Sequence, residues 1–256
     1  MDYLLVCVAA CLASGLTLFS GFGLGTLLMP VVALFFPLEV AVAITAVVHL
    51  ANNLFKLGLV GREANLKVLL RFGLPAVLAA FAGALLLASL SDAAPVHEYQ
   101  ALGRNLSVTP IKLVVGLLII GFVALELWPR FAQLAIDPKY LPFGGLLSGF
   151  FGGLSGHQGA FRSMFLIKAG LSKEAFVATG VVIAVMVDCA RLGLYGLHLG
   201  PQAGIDWALV AAASLSAFLG AYLGRKWLEK ITLQTVRYIV SALLLAVGLG
   251  LVSGLM

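Results

Sequence analysis

The sequence predicts an all-α polytopic membrane protein made of two inverted repeats of about five helical elements, each opening with a Gly-broken helical hairpin. Three observations lead there. Of the 256 residues, 62% are hydrophobic and only 11% charged, with a mean hydropathy of +1.10, which excludes a soluble globular domain. A Gly-rich stretch interrupts long apolar sequence twice, as Ser20-Gly21-Phe22-Gly23-Leu24-Gly25-Thr26 and as Leu154-Ser155-Gly156-His157-Gln158-Gly159-Ala160. Residues also recur in order between the two halves: Gly15 with Gly149, Gly25 with Gly159 and Thr45 with Thr179 share one separation. Asn53, Lys56 and Gly58 then align with Asp188, Arg191 and Gly193, and Ala80-Phe81-Ala82-Gly83-Ala84 aligns with Ala217-Phe218-Leu219-Gly220-Ala221.

Taken in order, the first repeat (1–130) holds apolar segments from Tyr3 to Phe19, Gly25 to Phe36, Leu38 to Val60, Leu66 to Leu90 and Pro110 to Leu127. The second (140–256) holds Tyr140 to Leu154, Gly159 to Ala169, Ser172 to Leu197, Ile205 to Trp227 and Leu233 to Leu255. A helix rising 1.5 Å per residue needs about 20 residues to cross hydrocarbon. The third, fourth, eighth, ninth and tenth segments meet that length. The pieces flanking each break are shorter, so each pair reads as a hairpin, re-entrant or crossing as two short helices. Several glycines together stop a helix, and irregular backbone at membrane depth survives only inside protein or beside a polar cavity. The breaks are therefore candidate ligand sites.

The formal charge of +5 comes mainly from short connections between spans, so topology accounts for it and no nucleic-acid partner is expected. The links Lys56 to Arg71 and Arg225 to Arg237 carry four basic residues each, and Arg130, Lys139, Lys168 and Lys173 fall on the same side by parity. That side reads as cytoplasmic, with both termini outside. The opening Met1-Asp2-Tyr3 lacks the basic start of a signal peptide and is expected to stay attached. Cys7, Cys11 and Cys189 sit in apolar runs without metal-ligand or disulfide spacing, and no Walker lysine motif is present, so neither metal nor cofactor is expected.

Ionisable groups inside spans are costly and point to function. His49, Asn52, Asn53 and Lys56 share one helix face. His49 is read as a substrate or proton-coupling group, against a satisfied core histidine; Lys56 as a group on the substrate path, against a lysine snorkelling to water. Asp188 and Arg191 form an i, i+3 ion pair, with Tyr195 one turn on, or else mirror Asn53 and Lys56 at the outer end of a pathway. Arg162, one turn after the second break, stands beside free N–H groups at a half-helix start, which makes an anion site; a brace to Asp188 is the alternative. His157 and Gln158 are hydrogen-bond donors to the same ligand or helix caps. With Gly23, Gly25, Thr26 and Gly159 they complete the candidate binding set.

At these residues the sequence resembles the sulfite exporter TauE/SafE family, bacterial membrane proteins whose two halves each begin with a Gly-rich segment near a leucine-rich, proline-bearing helix. The resemblance rests on Gly21-Phe22-Gly23-Leu24-Gly25 leading to Met29-Pro30 and Val42-Ala43-Ile44-Thr45, and again on Gly149 through Gly159 to Val177-Ala178-Thr179-Gly180. It implies transport of a small anion, sulfite or an organosulfur compound, across the bacterial inner membrane, with a proton or sodium ion as possible coupling partner. A membrane-embedded enzyme using His49 and Asp188 as acid and base is the other reading, without support from any HExxH, paired-acid or nucleophile-elbow motif.

Overall fold

The computed structural model describes residues 2–20, 23–101, 103–128, 134–199, 205–227 and 233–256. Gly21 and Phe22 of the first break, and Arg130, lie outside them. The elements of the first half are α1 (Asp2–Ser20), α2 (Leu24–Val32), α3 (Leu38–Val60), α4 (Leu66–Ser91), strands β1 (His97–Ala101) and β2 (Arg104–Val108), and α5 (Pro110–Leu127). The second half has α6 (Leu141–Ser155), α7 (Gly159–Leu166), α8 (Lys173–Leu199), α9 (Trp207–Trp227) and α10 (Leu233–Val252). Among the described residues, Leu38–Gly58, Leu66–Ser91, Pro110–Leu127 and Lys173–Leu197 are long and apolar enough to cross a membrane. Large apolar side chains such as Leu4, Leu78, Leu197 and Leu215 point outward, as lipid-facing residues do.

Local chemistry sets the helix ends. Thr109 caps α5, accepting from Lys112 N, and Pro110 takes the first turn, where its missing N–H costs nothing. Asn65 caps α4 in the same way through Val68 N. Pro75 cannot donate to the carbonyl one turn back, and the backbone ahead of it widens into a π turn over Leu69–Gly73. At the second break α6 ends on Gly156, which takes φ +81° and returns its N–H to Gly152 O at 3.0 Å. Ile136, ahead of α6, donates to Met164 O near the end of α7 at 3.2 Å, so this hairpin returns to the end of the bundle from which it entered.

The helices pair in a regular way. α1 runs along α9, and α6 along α4; α3 packs on α8 and on α9, α8 also on α4, and α5 on α10. The α4–α6 contact is backbone to backbone. Gly145, Gly149 and Gly153 repeat every fourth residue along α6, and a Cβ on each would stand 2.2, 1.9 and 2.1 Å from the carbonyl oxygens of Phe72, Ala76 and Ala80. Such small-residue stripes let membrane helices pack where lipid gives no hydrophobic drive for association. Gly220 of α9 approaches Cys11 O of α1 in the same manner, at 2.0 Å.

One feature departs from the all-helical expectation. Residues 97–108 form an antiparallel hairpin with His97 opposite Val108 and Ala101 opposite Arg104, and the Tyr99 hydroxyl donates to Ser253 O after α10. Nearby chain ends gather: the segment after α2, the starts of α3 and α5 and the residues after α10 line one cavity of about 540 Å³. At the start of α9, Tyr3 donates to Asp206 and Leu209 N–H donates to its other oxygen, which holds that carboxyl below its ordinary pKa.

Gly149→Ala should destabilise the protein by about 1–3 kcal/mol or prevent its accumulation, since the opposing atom is backbone and cannot rotate away. Gly58→Ala, whose added Cβ meets nothing within 4 Å, should be neutral or gain up to about 1 kcal/mol. Thermal unfolding of both variants in detergent checks the pair.

Candidate functional site

At the centre, α3 crosses α8 and brings His49 to Asp188, 139 positions away, with Nδ1 2.6 Å from Oδ2. Arg191 clasps the other carboxylate oxygen from the next turn of α8, through Nε at 3.0 Å and Nη2 at 2.7 Å. Its remaining Nη1 donates to Gly152 O at 3.3 Å. Asp188, Arg191 and His49 are all buried, at 0%, 1% and 4% exposure. The i, i+3 ion pair of Asp188 and Arg191 is present, and it reaches His49 on one side and the second break on the other. Tyr195, one turn on, donates to Gly153 O. Asn53 Nδ2 donates to His49 O at 2.9 Å and lies 3.2 Å from the ring nitrogens.

The two breaks meet here. A Cβ on Gly25 would sit 3.7 Å from Gly156 O and 4.0 Å from His49 Cδ2, and one on Gly23, itself at φ +53°, would sit 3.5 Å from His49 Nε2. A cavity of about 410 Å³ extends from this junction between α3, α7 and α8. Gly23, His49, Asn52, Asn53, Lys56 and Arg162 line it. Its far end is marked by Ser172 and Lys173, both exposed.

Two polar donors in this lining have no protein acceptor. Arg162 Nη1 is buried and unpartnered, and among the described residues no carboxylate stands within 4 Å of its guanidinium. Asp188, the brace considered for it, is occupied by His49 and Arg191. Room for Arg162 comes from Gly180, where a Cβ would be 3.4 Å from its Nε. Asn52 Oδ1 accepts from Ser14 Oγ at 2.9 Å, which leaves its Nδ2 buried and unpaired.

Other candidates fall elsewhere. Thr26, His157 and Gly159 line a separate space of about 10 Å³ with Phe122 and Glu126, room for about one water. The His157 ring lies parallel to Phe122, centroids 5.3 Å apart, with Nδ1 against Ser155. Gln158 is buried with both side-chain amide atoms unpaired, and its carbonyl accepts from Ser148 Oγ and Arg162 N. Ser14, Ser148 and Gly180 were not singled out from the sequence as site residues. A lone serine in an apolar helix gives little signal, although Gly180 stands in the repeated Val177-Ala178-Thr179-Gly180 stretch.

With the geometry in place, comparison with known families is direct: the model for the sulfite exporter TauE/SafE family matches residues 5–251, nearly the whole chain. The chain belongs to the TauE/SafE family. Neither the curated proteins nor the solved structures contain a match. The TauE/SafE assignment and the long apolar helices make this a multi-pass membrane protein of an anion-transporter family.

Replacing Asp188 by Asn should cost about 3–5 kcal/mol, because Arg191 would be left as a buried cation without its counter-charge. His49→Gln should cost less, since the Asp188–Arg191 pair survives it. Unfolding of the two variants side by side, in detergent, checks the order.

Proposed function

We propose that this TauE/SafE protein moves a small oxyanion, a sulfite, sulfonate or other organosulfur anion, across the bacterial inner membrane, and that it binds that anion in the cavity between the two broken hairpins. The observation that carries the reading is the pair of buried donors without acceptors, Arg162 Nη1 and Asn52 Nδ2, on the wall of one cavity. An unsatisfied buried donor costs about 1–3 kcal/mol, and more for a charged group. An oxyanion supplies the missing acceptors, and the planar guanidinium fork suits its geometry. Lys56 and Lys173 further along the lining favour anion entry. His49, held by Asp188, is the reading's proton-coupling group.

The packing supports an inverted repeat. Exchanging the halves turns the α1–α9 contact into α6–α4 and the α3–α9 contact into α8–α4, while α3–α8 and α5–α10 map onto themselves. With five membrane elements per half, the proposed arrangement has the second half upside down relative to the first. In that arrangement the count of basic residues favours both termini outside and Lys56, Lys173 and the basic links in the cytoplasm. The described cavity then faces inward. The acid/base enzyme reading draws only on the His49–Asp188 contact, and Arg191 already engages the other oxygen of that carboxylate.

Arg162→Ala should abolish anion flux in proteoliposomes while the protein still folds, and Arg162→Lys should keep part of it. Full flux through a well-folded Arg162→Ala protein would remove this residue from the site. In a cysteine-free background, a cysteine in place of exposed His97 should react with an impermeant reagent in intact cells and one in place of exposed Glu63 should not. The reverse pattern would overturn the orientation.

A further inference from the structure

Two cavities stand at opposite ends of the α3–α8 pair. The one lined by His49 and Arg162 reaches the start of α8 at Lys173, beside Lys56 near the end of α3. Asn65, just after α3, donates its backbone N–H to Thr179 Oγ1 of α8 at 2.9 Å, so the two helices run antiparallel. The cavity of about 540 Å³ lies at the other end, at the start of α3. The sequence repeat relates the two position by position. Moved back by the separation of Gly159 from Gly25, Ile167, Leu171, Ser172 and Lys173 at the mouth of the first cavity become Ala33, Pro37, Leu38 and Glu39, and all four of these line the second. Deeper positions behave differently. Arg162, Phe176, Val177 and Gly180 line the first cavity, whereas their counterparts Leu28, Val42, Ala43 and Ala46 are 0–2% exposed and packed in one apolar core. The second path is thus present as a mouth and closed behind it. The side chains that close it carry no polar atom, so parting them breaks no hydrogen bond or ion pair of theirs.

A second observation points the same way. His157 and Gln158 are the counterparts of Gly23 and Leu24, which line the first cavity. Both are buried, and His157 Nε2 and the two amide atoms of Gln158 have no protein partner. Each such group costs about 1–3 kcal/mol while it stays buried and unpaired, a cost removed when water or an anion reaches it. We propose that the cavity at Glu39 is the outer mouth of the anion path, and that a second state joins it to the centre by parting α2 and the first half of α3 from α8, which uncovers His157 and Gln158. This inference rests on the transport reading and adds to it the other entrance of the path and the apolar plug that closes it. At that entrance Lys112, with its ammonium on Ser107 O at 2.9 Å, offsets Glu39 on the cavity wall.

Single cysteines in a cysteine-free background test it, with an impermeant methanethiosulfonate applied to intact cells and to inverted membrane vesicles. Leu34→Cys, exposed at the outer mouth, should react from outside at the full rate. Ala43→Cys and Ala46→Cys should react from that same face at about 0.1–10% of this rate, the population of a minor state a few kcal/mol above the closed one. Val177→Cys, on the wall of the other cavity, should react from the opposite face. Ala213→Cys of α9 is the control, since Ala213 is 0% exposed and no residue of α4, the counterpart of α9, lines the first cavity; it should stay unlabelled. Labelling of Ala43→Cys and Ala46→Cys no faster than Ala213→Cys, or from the face that reaches Val177→Cys, would overturn the inference. Each replacement adds one sulfur atom, and where one alanine variant folds poorly the other carries the test. Flux decides the transport reading separately: full flux through Arg162→Ala removes that reading whatever the labelling, and absent labelling leaves Arg162-dependent flux standing.

Discussion

Asp188 carries a negative charge at a fully buried position, and the centre of the molecule is arranged around satisfying that charge. Its two oxygens are divided between His49 of the first half and Arg191 of its own helix. Arg191 passes the constraint on by donating to Gly152 O, the carbonyl that also receives Gly156 N–H at the end of α6. Broken backbone inside a membrane leaves carbonyls that lipid cannot solvate, and at this break several of them have partners. Gly153 O takes the Tyr195 hydroxyl, Ser155 O lies against His157, Gly156 O takes Gln158 N, and Gln158 O takes Ser148 and Arg162 N. The buried carboxylate and the irregular hairpin therefore depend on one another: without Arg191 neither has its full set of partners.

The hairpin also needs something to lie against, and small residues supply it. Because α6 carries glycine every fourth residue on the face toward α4, the two backbones touch, and the break is held at a fixed depth relative to Phe72, Ala76 and Ala80. Contact of this kind gains dispersion energy across the whole face without any polar side chain. The same contact shows why substitution is unequal along the chain. Gly58 faces open space, whereas Gly149 faces a carbonyl that has nowhere to go.

The parts legible in the sequence are those governed by local chemistry. α3 and α5 begin and end where composition and proline place them, at Leu38–Val60 and Pro110–Leu127, and the second break falls at the Gly156 that ends α6. The hairpin of residues 97–108 escaped because its strands are short and polar and its stability comes partly from Tyr99 reaching Ser253. His49 and Asp188 stand together in the sequence reading only as the acid/base alternative, and their direct contact escaped for another reason. Periodicity tells which residues share a helix face, not which face of a distant helix meets it, and repeat symmetry set Asp188 opposite Asn53 rather than beside His49. The apolar face of α8 read simply as membrane span, because lipid-facing and cavity-facing valines look alike in sequence.

Charge arithmetic gives the last reason for assigning Arg162 to a ligand. The cavity lining and the wall behind it hold Lys56, Arg162, Lys173 and Arg191 as cations, and among the described residues Asp188 is the carboxylate that faces them. That carboxylate is committed to Arg191 and His49, so among the described residues no carboxylate is left for Arg162 or Lys56. Desolvating a cation is expensive unless an anion offsets it, and a structural role for Arg162 would be served better by a nearby carboxylate or carbonyl than by an open space. On the proposed reading, an entering anion offsets that cost and its departure restores it.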